Sequence, residues 1–450
     1  MSSCNDVKNA ITNSILKVAS NVSSYVENPN KDMTRKRKFP AETVLSYLIS
    51  QGSSSTHCEL IDFFRFSEDH PSASSLNQQK AKLKPEAFEA LFREFNRSVV
   101  DLNIKTDKST NKRYRFIAAD GSTASFYCQP GSDTECYFVS EGHSMKGFYS
   151  IHINAMYNLD NNTYTDILLQ PVHEKDEFSA FCTLVDKHDY TEDYMDVFIG
   201  DRGYCSYNNM AHVVKNGHYF LFRTKDSSGR GILNNFDFSC NDTFNEVVTL
   251  SLTRCNRKDV DIRKGTHRRF ICKNINFDYL EYGSRDVFEL TFRAVRFMLP
   301  DGSYECVVTN LPPDEFPPNK LMDLYCRRWG IETSFRKLKY TIGMMNFHSR
   351  KPQYIKQEIW AKLIAYNATE LMIQLTAIEN KRDRKYQYKV SFTAAAHLCR
   401  IYLRLTTEID SIDVTALLRK ELIPVRDDRQ FKRLQTAHFR KPKYFCYRAA

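Results

Sequence analysis

Two short apolar runs in this chain end in the same way. Phe116-Ile-Ala-Ala leads into Asp120-Gly121-Ser122, and Val197-Phe-Ile-Gly leads into Asp201-Arg202-Gly203-Tyr204. Apolar runs bounded by turn formers read as buried strands. An acid just past the last buried residue then stands at the mouth of a sheet, where open α/β sheets carry ligand sites. Taken alone, either acid fits an ordinary turn equally well. Downstream the period changes. With Tyr325 as origin and about 100° per residue, Arg328, Glu332 and Lys339 fall within about 60° of it as one polar stripe, and Leu324, Ile331, Phe335 and Leu338 gather about 110° away as an apolar one. A helix of this design buries one edge and presents an acid, two cations and a phenol along the other. Lys337 falls on the opposite side from Arg328.

The remaining pattern divides the chain into regions. Residues 1–105 read as polar and mostly helical, with helices over 41–49 and 56–66, a turn over 67–73 and a third helix starting near Ser74. Helix, turn and polar second helix outline a helix-turn-helix that would turn Gln78, Gln79 and Lys80 toward DNA. Packed helices with solvated polar faces fit that pattern equally. Residues 106–224 carry both acid-tipped strands, β-rich runs over 148–158 and 164–169 joined as a hairpin, a helix over 177–187 and a strand over 218–223. Three early strands, a helix and further strands, with acids at strand ends, is the order of an RNase H-like core.

From Asp120 to Asp201 is 81 positions, but from Asp201 to Glu332 is 131, more than one strand and one helix require. The excess, 225–305, is β-rich over 246–252, 269–275 and 287–297 and reads as a β-sheet insertion. Its basic run of Arg254, Arg257, Lys258, Arg263, Lys264, His267, Arg268 and Arg269 suits a DNA backbone better than a solvated edge. Residues 306–350 return to the core. The rest, 351–450, is helical over 355–377 and 393–405, both amphipathic, and ends in a basic tail over 431–450. The expected fold is α/β: an RNase H-like catalytic core interrupted by a β-sheet insertion, with a helical N-terminal region, read as DNA-binding on the family resemblance given below, and a helical C-terminal region.

Composition narrows the function. The 450 residues carry a net charge of +10 and are 42% hydrophobic, enough for two to four cored domains at about 100–200 residues each. The positive balance favours a polyanionic partner. No run approaches the roughly 18 apolar residues of a membrane span, and the polar N-terminus lacks a signal-peptide core, so a cytoplasmic protein is expected. Thirteen cysteines without a C-x-x-C pair argue against zinc and against a disulfide framework. Neither a Gly-Lys dipeptide nor an H-E-x-x-H helix occurs, which removes P-loop and zinc-helix chemistry.

The positions Tyr325, Arg328, Glu332 and Lys339, with Trp329 following the Arg, resemble in full the signature of the YREK group of DDE transposases, insertion-sequence family four. The DGS run at 120–122 and the DRGY run at 201–204 resemble the segments that carry that family's first and second acids. The resemblance implies that Asp120, Asp201 and Glu332 are the catalytic, metal-holding triad, served by two Mg²⁺ ions that Mn²⁺ can replace. It implies that Tyr325, Arg328 and Lys339 grip DNA near the cut and help hold a flipped base during hairpin formation. The implied activity is cut-and-paste transposition: a homodimer binds terminal inverted repeats in a synaptic complex, hydrolyses DNA and transfers the 3′ ends to target DNA, in a bacterial, nucleoid-associated setting. A domesticated RNase H-like nuclease and a DNA-binding regulator are the alternatives. The regulator would be expected to have lost an acid, and all three are present.

Overall fold

The computed structural model describes residues 3–426, apart from 35–38, 101–113, 132, 141–146, 189–193, 227–230, 235, 237, 239–241, 257–262, 300–301, 377, 379–384 and 405–411. One mixed sheet organises the chain. Its strands are β1 (Tyr114–Phe126), β2 (Phe138–Ser140), β3 (Gly147–Asn158), β4 (Thr163–Pro171), β5 (Met195–Gly200), β6 (Tyr219–Thr224), β7 (Phe244–Thr253), β8 (His267–Phe270), β9 (Val287–Met298) and β10 (Tyr304–Thr309). Across the sheet the order is β2-β3-β1-β5-β6-β10-β9-β7-β8, with β4 also on β3. The central strands β1, β5 and β6 run parallel, while β3 and β10 flank them antiparallel.

Parallel strands must be covered on both faces, and alternation along the strands shows how. Ala118, Val197, Ile199 and Leu221 join one core, whereas Ile117, Ala119, Phe198, Phe220 and Phe222 join another. The second core is closed by α6 (Glu177–Asp186) and α7 (Tyr207–Lys215). The first is closed by a helical body drawn from both ends of the chain. From the N-terminal side come α1 (Cys4–Ser20), α2 (Ala41–Ile49), α3 (Thr56–Phe63), α4 (Ala73–Lys80) and α5 (Pro85–Val100). From the C-terminal side come α8 (Pro318–Arg327), α9 (Trp329–Arg336), α10 (Pro352–Leu375) and α11 (Phe392–Tyr402).

Helix α10 is the axis of that body, packed by α1, α2, α5 and α11. Sequence periodicity marks it as amphipathic, yet its buried residues extend all round and include Gln357, Glu358, Lys362, Asn367 and Glu370. A helix surrounded by partners buries polar residues only when they are paired. Gln357 donates to the Leu83 carbonyl at 2.6 Å, and Asn367 donates to the Tyr164 carbonyl at 2.8 Å. Glu358 takes Lys80 at 2.8 Å, with side-chain exposures of 1% and 5%. Lys80 is therefore an internal cation that ties α4 to α10 and does not face outward for DNA. Gln78 is exposed, and the half-buried Gln79 accepts from Lys82 at 3.0 Å.

The insertion strands continue the same sheet, because β9 pairs with β10 and β7 with β9. Arg254 turns inward and donates to the Ile275 and Phe277 carbonyls at 3.0 and 3.1 Å, so it shapes the loop after β8. Arg263, Lys264, His267 and Arg268 are exposed, and Arg269 is half-buried. Arg257, Lys258 and the basic tail lie outside the described residues.

Candidate active site

The two aspartates occupy neighbouring positions at the end of the parallel pairing. β1 and β5 stay in register up to Ala119 and Gly200, so Asp120 and Asp201 take the next rung. They reach it differently. β5 stops at Gly200, and Asp201 caps the short turn over 202–204, its Oδ1 accepting from the Gly203 N–H at 2.7 Å. β1 does not stop. It runs on to Phe126 along β3, with Asp120 opposite Ala155. The strand end expected at Asp120 is thus the end of its parallel partner only. Asp120 shares strand parity with Ala118 and Ala124, the residues of the core beneath α9.

Helix α9 supplies Glu332. The stretch expected as one continuous helix is broken twice. α8 ends at Arg327, Arg328 forms the junction, and α9 ends at Arg336. Beyond it a π-turn spans Lys337–Thr341, with the Ile342 N–H reaching back to the Lys337 carbonyl at 3.0 Å. Single π-turns are frequent at functional sites, and this one shifts Lys339 off a straight 100° count. Arg328 still faces Glu332, its Nη2 donating to Oε1 at 3.0 Å, and its guanidinium lies 5.6 Å from the Tyr325 ring and 5.4 Å from the Trp329 ring. Tyr325 and Arg328 are buried, and the Tyr325 hydroxyl has no hydrogen-bond partner among the described residues. The half-buried Lys339 sits on the π-turn. Trp329, which sequence reasoning used only as context, is the ring at the surface, 49% exposed.

The three acids feel one another. Burial pushes the Asp120 carboxyl up to about 6; the Gly121 N–H and Arg328 pull it down, and Asp201 and Glu332 push it further up. One oxygen of each acid is anchored, by Gly121 at 2.8 Å, Gly203 at 2.7 Å and Arg328 at 3.0 Å. The other oxygen of each takes no protein hydrogen bond among the described residues. An all-oxygen set of carboxylates suits a hard divalent cation, and a buried acid that resists ionising gains most from a cation beside it. The donor types suit such an ion, although among the described residues the three acids do not bring one oxygen each within 4.8 Å of one another in this conformation.

A polar group behind the sheet was not legible in advance. His152 on β3 and Glu177 at the start of α6 pair at 3.2 Å. A Cβ on Gly121 would lie 2.7 Å from Glu177 Oε1 and 2.9 Å from the His152 ring, so a larger residue beside Asp120 would have to displace that pair. The His152 hydrogen bond, with Lys175 behind it, holds Glu177 down to about 2. His152 Nε2 also meets Asn154 Oδ1 at 3.1 Å, and Asn154 donates to Gln170 at 2.9 Å. The glycine after Asp120 was the one local signal that something packs close there.

Comparisons with known proteins bear on the same elements. The transposase InsG of insertion sequence IS4 from Escherichia coli K12 is 25% identical over 131 residues, 26% of this chain and 28% of that protein. The transposase of insertion sequence IS421 from Escherichia coli is 32% identical over 68 residues, 15% of this chain and 18% of that protein. The matched stretches thus span less than a third of these relatives. Among solved structures, a piggyBac transposase synaptic complex with hairpin DNA aligns with 93% of this chain and 84% of its own, at 9% identity and a TM-score of 0.43. No helix among the described residues is long and apolar enough to cross a membrane. Residues 111–368, which run from β1 through most of α10 and hold all three acids, match the transposase DDE domain, and the chain belongs to that family.

Proposed function

We propose that this chain is a cut-and-paste DNA transposase of the YREK group, with Asp120, Asp201 and Glu332 as its catalytic triad. One observation carries the reading: two aspartates on the same rung just past the end of a parallel strand pair, with a helical glutamate near enough to raise the proton affinity of the first. Residues 106–224 and 306–350 are then an RNase H-like core, which the order β4-β3-β1-β5-β6 supports. Residues 1–105, 225–305 and 351–450 are then the N-terminal DNA-binding region, the β-rich insertion and the C-terminal region.

Asp120, Asp201 and Glu332 would hold two Mg²⁺ ions, which when bound would supply activation of the attacking oxygen and stabilisation of the leaving one. The chain's own groups do the positioning. The β1–β5 rung fixes two carboxylates on the sheet, and Arg328 fixes the third on α9. Neither Tyr325 nor Arg328 is exposed in this conformation, so the half-exposed Trp329 is the better stacking platform for an unpaired base. Lys339 reaches the backbone beside it. Water attacks in the cut and the freed 3′-hydroxyl attacks in the joining step, so no covalent protein–DNA intermediate is required. The partners are terminal inverted repeats and target DNA, bound by a homodimer. Gln78 and Gln79 read base edges at about 1–3 kcal/mol per good bidentate contact.

The test uses a duplex carrying the element's end, with Mg²⁺ and then Mn²⁺. Asp120→Asn, Asp201→Asn and Glu332→Gln should each cut strand cleavage by at least about 10²–10³-fold, the worth of a single well-placed charge-stabilising group. End binding should persist, because positioning comes from basic groups elsewhere. Full cleavage by any one of the three refutes the triad. Replacing Gln78 and Gln79 by Ala should reduce preference for the cognate end over random duplex. Unchanged preference moves end recognition elsewhere in the chain.

A further inference from the structure

A second donor cluster lies on the far face of the sheet. Cys182 on α6, His212 on α7 and Asp278 in the loop that follows β8 each offer one ligand atom, and these atoms lie within 4.8 Å of one another. We propose that this cluster is a zinc site that pins the β-rich insertion to the catalytic core.

The donor types select the metal. A thiol, an imidazole and one carboxylate form the mixed S/N/O set that zinc accepts and that Mg²⁺ does not favour. The imidazole is already aimed. Its Nδ1 lies 2.9 Å from both oxygens of Asp186, and its Nε2 lies 2.9 Å from Asp278 Oδ2. A carboxylate behind the histidine is the usual orienting partner of a zinc-bound imidazole. Asn208 holds the third ligand in place: its Nδ2 donates to Asp278 Oδ2 at 2.8 Å, and its Oδ1 accepts from the Asp278 N–H at 2.9 Å. Cys182 and His212 are buried, whereas the Asp278 side chain is 59% exposed. Three protein ligands leave a fourth position for water on that open side.

The competing arrangement needs no metal. His212 between Asp186 and Asp278 is a satisfied polar contact in its own right, with the Cys182 thiol donating to Asn209 Oδ1 at 3.3 Å as simple packing. The two differ at Cys182. Without a cation its sulfur remains a thiol donor to Asn209 Oδ1. Zinc would bind the thiolate, and the thiol proton would pass to solvent. Tight packing alone makes no such demand on sulfur.

The experiment is metal analysis of the full-length, untagged protein, followed by cobalt substitution. Zinc should co-purify at about one per chain. Co²⁺ should replace it and give a near-ultraviolet thiolate-to-cobalt charge-transfer band. Cys182→Ser should abolish the band and Asp278→Asn should weaken cobalt binding at least tenfold; Asp278 is exposed, so that variant tests the site without disturbing the core. Asp120→Asn should leave zinc content and the band unchanged, which separates this site from the carboxylate triad. Substoichiometric zinc with no cobalt–sulfur band in the folded parent overturns the proposal. A band that survives Cys182→Ser overturns it as well.

Discussion

Helix α6 touches two donor clusters of opposite chemistry. At its first turn Glu177 and its partner His152 pack against Gly121, next to the all-oxygen triad. Further along, Cys182 faces His212 and Asp278, with Asp186 behind the histidine. The triad is assembled on strand ends and a broken helix, is half-open, and repels its own charge. The mixed cluster is satisfied by its own hydrogen bonds and joins separate parts of the fold. The difference teaches what each asks of a cation. On the proposed function, the triad would use one to offset the burial and mutual repulsion of its acids. The mixed cluster would use one to fasten a loop.

The largest expected effect follows from the burial of Asp120, to which the neighbouring acids add. Asp120 moves from an ordinary 3.8 to about 6 on folding, so the folded state favours its protonated form. The associated stability is present at low pH and is lost as pH rises from about 4 to about 6. At about 1.4 kcal/mol per unit, the folded protein above pH 6 carries a penalty of about 3 kcal/mol. In denaturant titrations without divalent metal, Asp120→Asn should therefore be more stable than the parent at about pH 7.5 and should lose that advantage near pH 4. Saturating Mg²⁺ should close the gap at the higher pH. Parallel stability curves at all pH values would mean that the buried site does not disfavour the Asp120 carboxylate.

Next in size is Arg328, which connects the triad to its supports. Arg328→Ala frees Glu332 and should slow cleavage about 10–100-fold, the usual range for a group that orients a metal-holding residue. Lys337 pairs instead with the buried Glu370 at 2.6 Å. Lys337→Ala should lower the melting temperature while leaving the rate per folded molecule within about twofold. Equal rate losses in both variants, measured on the same end-carrying duplex, would mean that total charge rather than placement matters.

What the sequence disclosed follows the same divide. Asp120, Asp201 and Glu332 stood out as candidates because each sits in a short local context: an apolar run broken by Gly, or a fixed helical spacing. Most strands and the helices of the core were legible for the same reason. Lys80 was misread because an eight-residue polar helix cannot announce that Glu358, 278 positions away, will bury its cation. The breaks at Arg328 and at the π-turn carry no Pro, and Gly330 is too weak a signal to locate either. The amphipathic reading of α10 failed because its polar residues are paired inside the helical body. The Cys182, His212 and Asp278 cluster was not legible, because His212 and Asp278 are 66 positions apart and meet only when the loop after β8 folds back onto α7.

A smaller effect tests whether α6 couples its two ends. Glu177→Gln keeps the shape beside Gly121 but removes the charge that His152 and Lys175 share. It should lower cleavage by about tenfold, at the lower end for an orienting group, and leave zinc content unaltered. Cys182→Ser should do the reverse. If either change moves both readouts, the clusters are one coupled unit and the contrast between them fails.

The smallest expected effect loosens α6 itself. Asp176 caps the helix, its Oδ1 accepting from the Ser179 N–H at 3.0 Å. Removing a cap of this kind costs about 1 kcal/mol, and the loss falls on the first turn, where the unpaired N–H groups are. Asp176→Ala should therefore speed hydrogen exchange at the amides of residues 177–180 more than at 182–186, where Cys182 and Asp186 are tied to α7 through Asn209 and His212. It should also shift the Mg²⁺ dependence of cleavage slightly, because Glu177 supports Gly121 from that turn. Zinc retention should not change. Uniform acceleration along the helix would show that α6 moves as one rigid piece, and the independence of its two ends would then be lost.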